Sequence, residues 1–353
     1  MKKLRRFKRN KSEEAEKPNR ITNETVAEHR EKILAGGRRF KYPVQYAKHR
    51  LVINTIVISV VALILVVVLI WWQLYLVQNT STFFYRITRV VPLPVASVDG
   101  QYVPYSDYLE SFRSQEHYLE TKQGVNLYSK ENKAQLNWLK RQALDSAIAH
   151  SYAEKLAKAT NITVSTKEVN EAILHQRQSS NGTISEDTYF AIALDHYDWT
   201  PDEVREATAN ELLRQKVAYR VDTIASKLRD EMQAKLKSES DFDKIASAIA
   251  PVGGVKVQSS VTPLVPSNNQ DGGLAEQASK LEVGKISEIF RSTTGDGYYV
   301  VKLLQRDNER ISYAVLRIPL TMFQQQLDQI KKDHKVEEYI NLPEVKSSLS
   351  TQP

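Results

Sequence analysis

Between Leu51 and Tyr85 the chain carries no charged residue, and LVINTIVISVVALILVVVLIWWQLYLV, residues 51–77, is apolar nearly throughout. At about 1.5 Å per residue this stretch makes about 40 Å of helix, enough to cross a hydrocarbon layer of about 30 Å with some tilt. Trp71, Trp72 and Tyr75 cluster at one end, as interfacial aromatics do, while Lys41, Lys48, His49 and Arg50 flank the other. The pattern predicts a single-pass protein of the cell membrane, with the N-terminus in the cytoplasm and residues 78–353 extracytoplasmic. A cleaved signal peptide has a short basic region and an apolar core of about 7–15 residues. Here 50 residues precede a far longer core, which favours an uncleaved anchor. Asn54, Thr55 and Ser59 can hydrogen-bond to helix carbonyls and need no further role.

The net charge of +7 would suggest a nucleic-acid binder if it were spread evenly, but residues 1–50 carry 16 Lys/Arg against 6 Asp/Glu and the remainder 33 against 36. The basicity therefore belongs to a cytoplasmic arm, residues 1–50, where it suits a topology signal beside anionic lipid, and no nucleic-acid partner is expected. TNETVAEHREKILAGG (22–37) predicts one short helix with Thr22 or Asn23 as N-cap and Gly36-Gly37 as its stop. The chain has no cysteine, which excludes disulfides, thiolate metal sites and a Cys nucleophile.

After a linker at 78–94, VASVDGQYVPYSDYLES predicts a short strand, an Asp-Gly turn and a helix from about Tyr105. A second helix spans about 131–159, where Leu144, Ile148, Tyr152 and Leu156 form a stripe. Ser165 with Glu168 reads as a capping box opening a third. Two more follow in SEDTYFAIALDHYDW and from Thr200-Pro201, with Asp202 and Glu203 in the first turn. The spacing of Leu213, Val217, Val221, Ile224, Leu228, Met232 and Leu236 predicts one unbroken helix over 201–237.

The ordered series over 95–220 resembles the N-terminal chaperone module of the SurA, PrsA and PpiD group of extracytoplasmic foldases. The resemblance implies binding of unfolded or exported polypeptides; no ATP site is seen in the residues, and no cofactor or metal is expected. SDFDKIASAIA (240–250), GGLAEQASKLEVGKISEIFRS (272–292) and GDGYYVVKLLQ (295–305) then come in the order of a parvulin-type prolyl isomerase, with Gly284-Lys285-Ile286-Ser287 matching that family's Gly-x-[IV]-Ser turn. The family's strand histidine falls on Tyr299, no histidine lies between His196 and His334, and the segment lining the proline pocket is short. The family's first strand is also missing. The resemblance thus implies a degenerate parvulin-like domain over 221–310, with weak or absent isomerase activity and no assigned catalytic residue. Phe290, Tyr298 and Tyr299 are its candidate substrate-binding residues.

ISYAVLRIPL (311–320) predicts a strand that either fills the vacant place in that sheet or, with the helix 321–342, returns to the chaperone module; residues 311–345 pack back and 346–353 form a tail. The expected class is α+β: a transmembrane helix, a mainly helical module and a small α/β domain. The seven histidines are scattered without metal-ligand spacing, and no Gly-x-Ser-x-Gly or phosphate-loop pattern occurs. The expected function is a membrane-anchored chaperone. An active prolyl isomerase and a structural adaptor of an envelope complex are the other readings.

Overall fold

The structure, a computed structural model, describes residues 22–41, 43–179 and 182–343, so residues 1–21 of the basic arm and the tail 346–353 lie outside the described residues. The class is α+β, in two compact units, Met1–Ile70 and Trp71–Pro353. In the first unit, α1 (Asn23–Lys41) starts directly after Thr22 but runs through the Gly36-Gly37 pair expected to stop it. A helical glycine costs only about 1 kcal/mol relative to alanine, which neighbouring good helix formers offset. Helix α2 (Pro43–Trp71) continues into a π-helical turn (Trp72–Leu76). His49–Leu76 is long and apolar enough to cross a membrane, and its side chains from Leu51 to Leu69 are exposed. Thr55 Oγ1 donates to the Leu51 carbonyl at 2.9 Å, as a helical threonine in an apolar setting must.

The second unit opens with α3 (Thr82–Val90), a helix inside the segment expected to be a linker. Strands β1 (Pro94–Val98) and β2 (Gln101–Pro104) form a hairpin around Asp99 and Gly100, both at positive φ as a tight two-residue turn requires. Helices α4 (Tyr105–Gln123) and α5 (Lys133–Thr160) pack on it through Tyr105, Leu109, Phe112, Leu144 and Ile148. The short α6 (Thr166–Gln176) follows, then a β3 (Gln178–Ser179) and β4 (Gly182–Thr183) pair, α7 (Glu186–Tyr197) and α8 (Pro201–Val221). Both predicted helix starts form complete capping boxes: Ser165 with Glu168, and Thr200 with Glu203.

The unbroken helix expected over 201–237 is not observed. It ends at Val221, Asp222 takes φ −83° and ψ 82°, and α9 (Thr223–Leu236) starts anew with the Asp222 side chain accepting from the Ala225 N–H at 2.7 Å. Val217 and Leu228 remain buried on either side, so the apolar spacing survives a break that a buried cap enforces.

Beyond it lie α10 (Phe242–Ala248), β5 (Gln258–Pro266), α11 (Leu274–Ser279), β6 (Phe290–Arg291), β7 (Gly297–Asp307) and β8 (Arg310–Pro319). The strands make an antiparallel sheet in the order β5-β8-β7-β6. Tyr298, Val300, Leu316 and Ile318 bury one face under α9 and α10, and Tyr299, Val301, Leu303 and Val315 bury the other under α11. The chain then leaves the sheet. Helix α12 (Met322–Lys332) packs on α8, with Phe323 against Tyr152 at 5.7 Å between ring centroids, and β9 (Val336–Glu338) pairs with β1.

Candidate functional site

The sheet places the three sequence-derived candidates on two faces, because successive side chains of a strand point in opposite directions. Tyr299 and Phe290 are cross-strand neighbours with stacked rings, 6.2 Å between centroids. Tyr298 faces the other way and meets Tyr219 edge-on at 5.1 Å.

Tyr299 is buried, and its hydroxyl donates to Asp296 Oδ2 at 2.7 Å. The same oxygen accepts from Arg317 Nη2 at 2.7 Å, while Oδ1 accepts from Ser292 Oγ at 2.6 Å and Thr294 Oγ1 at 2.7 Å. Burial acts to raise the Asp296 pKa, but the bonds from Ser292, Tyr299 and Thr294, together with the Arg317 charge, hold it below the usual carboxylate range. The Tyr299 pKa is raised, first by burial and then by its bond to that carboxylate. The tyrosine hydroxyl thus donates its hydrogen bond to a neighbouring anion. Asp296, Ser292 and Arg317, none of them singled out from the sequence, form the centre of this network. The Thr-Thr-Gly-Asp-Gly run at 293–297 is the available signal, since Asp and Thr in a tight turn commonly bond to one another.

The open surfaces lie elsewhere. Helix α7 buries Ala193 but exposes Ile192, Leu194 and Tyr197. It ends at Asp198, which adopts the left-handed conformation (φ 56°) and accepts from Arg113 Nη2 at 3.1 Å. That turn presents Tyr197 and Trp199, 5.4 Å apart between ring centroids. These two rings form a shared wall between two grooves. One, of about 460 Å³, is lined by Tyr85, Arg89 and Leu194. The other, of about 370 Å³, is lined by Ala147, His150 and Arg214, and both touch Glu110 and Ser114. A larger groove of about 810 Å³ runs between α6 and α8 on one side and the Gly272-Gly273 turn on the other, lined by Ala172, His175, Leu212, Gln215 and Glu276. Among the described residues no cluster of three or more His, Asp or Glu side chains is arranged to hold a metal ion.

Glu110, at the junction of the two smaller grooves, has its pKa raised to about 8, first by burial and then by the carboxylates of Glu206 and Asp107. Below about pH 4.5 folded and unfolded chains both hold the proton; between there and about pH 8 only the folded chain keeps it. Stability therefore falls as pH rises through that window. Glu110→Gln is expected to flatten this part of the pH dependence and raise the melting temperature near pH 8. Parallel melting curves for the two proteins between pH 5 and 8, by thermal denaturation in detergent, would contradict the assignment.

Residues 47–218 match the family model of the SurA-like N-terminal domain. No curated protein matches the chain.

Proposed function

We propose, from the premise that residues 47–218 form a SurA-like N-terminal domain, that this chain is a membrane-anchored chaperone that binds unfolded exported polypeptides. The observation that carries the proposal is the paired groove around Tyr197 and Trp199, beside the exposed Leu194 and Ile192 of α7. Shallow grooves with aromatic walls bind many extended apolar segments weakly, because area and aromatic faces confer little sequence preference. Carboxylates and arginines at the rim discourage full burial of a client, so release follows its folding without an energy source. The anchor is His49–Leu76, with the basic N-terminal flank on the cytoplasmic side.

Residues 221–310, whose sheet is completed by β8 (Arg310–Pro319) from the following segment, are read as a degenerate parvulin-like domain. Supporting this are the order of α10, the Gly272-Gly273 turn, α11, the Gly284–Ser287 turn and β7, the last two joined by Gly284 N–H to Leu303 O at 2.7 Å and Ser287 N–H to Val301 O at 2.9 Å. Catalysis of prolyl isomerisation requires preferential stabilisation of a twisted amide. The burial of Tyr298 and Tyr299 and the bond from the Tyr299 hydroxyl to Asp296 support a packing role for these two residues, with Phe290 partly buried against Tyr299.

The full chain in detergent is expected to suppress aggregation of a chemically denatured model protein, and Leu194→Asp combined with Trp199→Ala to reduce that suppression several-fold while leaving the melting temperature nearly unchanged. Cis/trans exchange of a prolyl peptide is expected to proceed at the uncatalysed rate for both the native protein and Tyr299→Phe. Catalysed exchange abolished by Tyr299→Phe would establish the isomerase instead. One stoichiometric folded partner in cellular crosslinking, in place of many unfolded ones, would establish the adaptor.

A further inference from the structure

Helix α3 is amphipathic, and its apolar side faces away from the body it packs on. Its inward face is polar: Tyr85 and Thr88 are buried, the Tyr85 hydroxyl donates to Glu203 Oε1 at 2.9 Å, and Arg89 pairs with Glu203 at 3.1 Å and Glu206 at 2.6 Å. Phe83, Ile87 and Val90 fall within one arc of the helix, the other way round, and Arg86 stands at the edge of that arc, where it also lines the rim of the groove of about 460 Å³. Phe83 is 65% and Val90 82% exposed, and Arg86 has no ion pair among the described residues. A helix that only capped a soluble body would bury the phenylalanine and valine and expose the rest.

Chain continuity identifies what covers this face. The apolar helix His49–Leu76 ends six residues before α3, and the intervening Val77–Ser81 can extend over at most about 18 Å. The end of that helix is built into the same unit as α3: Leu74 is fully buried and its carbonyl accepts from the Tyr105 hydroxyl at 2.7 Å. Trp71 and Trp72 beside it remain about half exposed, as residues of a membrane–water boundary do. A short helix with an apolar face and an unpaired cation, held within this distance of a bilayer exit, has the composition of an interfacial helix.

We infer that α3 is a second membrane contact, lying along the lipid surface with Phe83 and Val90 in the acyl boundary and Arg86 at the level of the phosphates. This rests on the reading of His49–Leu76 as a membrane span. With two contacts the unit Trp71–Pro353 is held in one orientation to the bilayer instead of swivelling on a tether.

The absence of native cysteine permits a direct test. Phe83→Cys, Val90→Cys, Leu65→Cys and Tyr102→Cys are each labelled with an environment-sensitive fluorophore in the full chain. The proteins are reconstituted in phosphatidylcholine–phosphatidylglycerol vesicles with or without spin-labelled lipid. Quenching at 83 and 90 is expected to exceed that at the exposed control position 102 by about threefold or more, with a blue-shifted emission. Quenching at 65 without quenching at 83 and 90 would overturn the inference while leaving the span intact. No quenching at 65 would overturn the span and the inference together. Disulfide-linked dimers of the unlabelled Phe83→Cys protein in the vesicles would assign the face to a second copy of the chain, again overturning it.

Discussion

Asp222→Ala is expected to lower the unfolding free energy by about 3 kcal/mol, since it leaves one buried and two partly buried backbone donors without an acceptor. Asp222 is 1% exposed, and its side chain serves three amides from two separate parts of the chain. Oδ1 accepts from Ala225 N at 2.7 Å, which starts α9, and Oδ2 accepts from Thr321 N at 2.7 Å and Met322 N at 3.0 Å, which start α12. One side chain therefore caps two helices and ties the return of the chain to the α8–α9 break. Losing an N-cap alone costs about 1 kcal/mol, and each buried orphan amide about 1–3 kcal/mol, partly relieved by water entering the space vacated. Asp222→Asn keeps one acceptor oxygen and is expected to be milder. Denaturant unfolding supplies the magnitude. Hydrogen exchange supplies the location: protection of Ala225, Thr321 and Met322 should fall before that of Val300 and Leu316 in the sheet. A loss below about 1 kcal/mol, or uniform loss of protection, would show that Asp222 does not hold this junction.

Gly297→Ala is expected to destabilise the sheet by a similar amount, about 3 kcal/mol, through a clash combined with a lost buried hydrogen bond. A Cβ at this position would stand 2.5 Å from the Ile318 carbonyl oxygen and 3.4 Å from the Tyr299 ring. The nearest obstacle is backbone, so β7 and β8 must separate where Gly297 faces Pro319. That movement also draws the Gly297 carbonyl away from the Tyr219 hydroxyl, which donates to it at 2.6 Å. Gly284→Ala is the control: its Cβ meets nothing within 4 Å, although φ is +83°, so only the conformational penalty of about 1 kcal/mol remains. Equal midpoints for the two variants in urea unfolding would contradict the close-approach argument. The glycine of the Gly-Tyr strand start is accordingly a packing requirement at this position, independent of any catalytic role.

Several elements are legible in the sequence because their causes are local. Ser165 with Glu168 and Thr200 with Glu203 close capping boxes within four residues, Asp99-Gly100 turns a hairpin, and the apolar run after Arg50 forms a helix. Strand β5 is not legible, because Pro263 and Pro266 argue against a strand. It exists because it is an edge strand, and its register shifts between Thr262 and Val265, where a proline can be tolerated. Tyr298 and Tyr299 look like one candidate pair along the chain, yet strand alternation sends them to opposite faces, and nothing near Trp199 in sequence marks it as the wall of a groove.

The linear pattern alone settles the bilayer-length helix, the caps and the alternation of β7, since each depends on residues within a few positions of one another. The fold settles whether a polar group is free or engaged. Tyr299 donates to Asp296, Asp222 reaches α12 about a hundred residues away, and α3 turns its apolar side outward only because Glu203 draws Tyr85 and Arg89 inward. The physical reason is that a buried hydrogen-bonding group must find a partner wherever the chain brings one, and distance along the sequence places no limit on where that is.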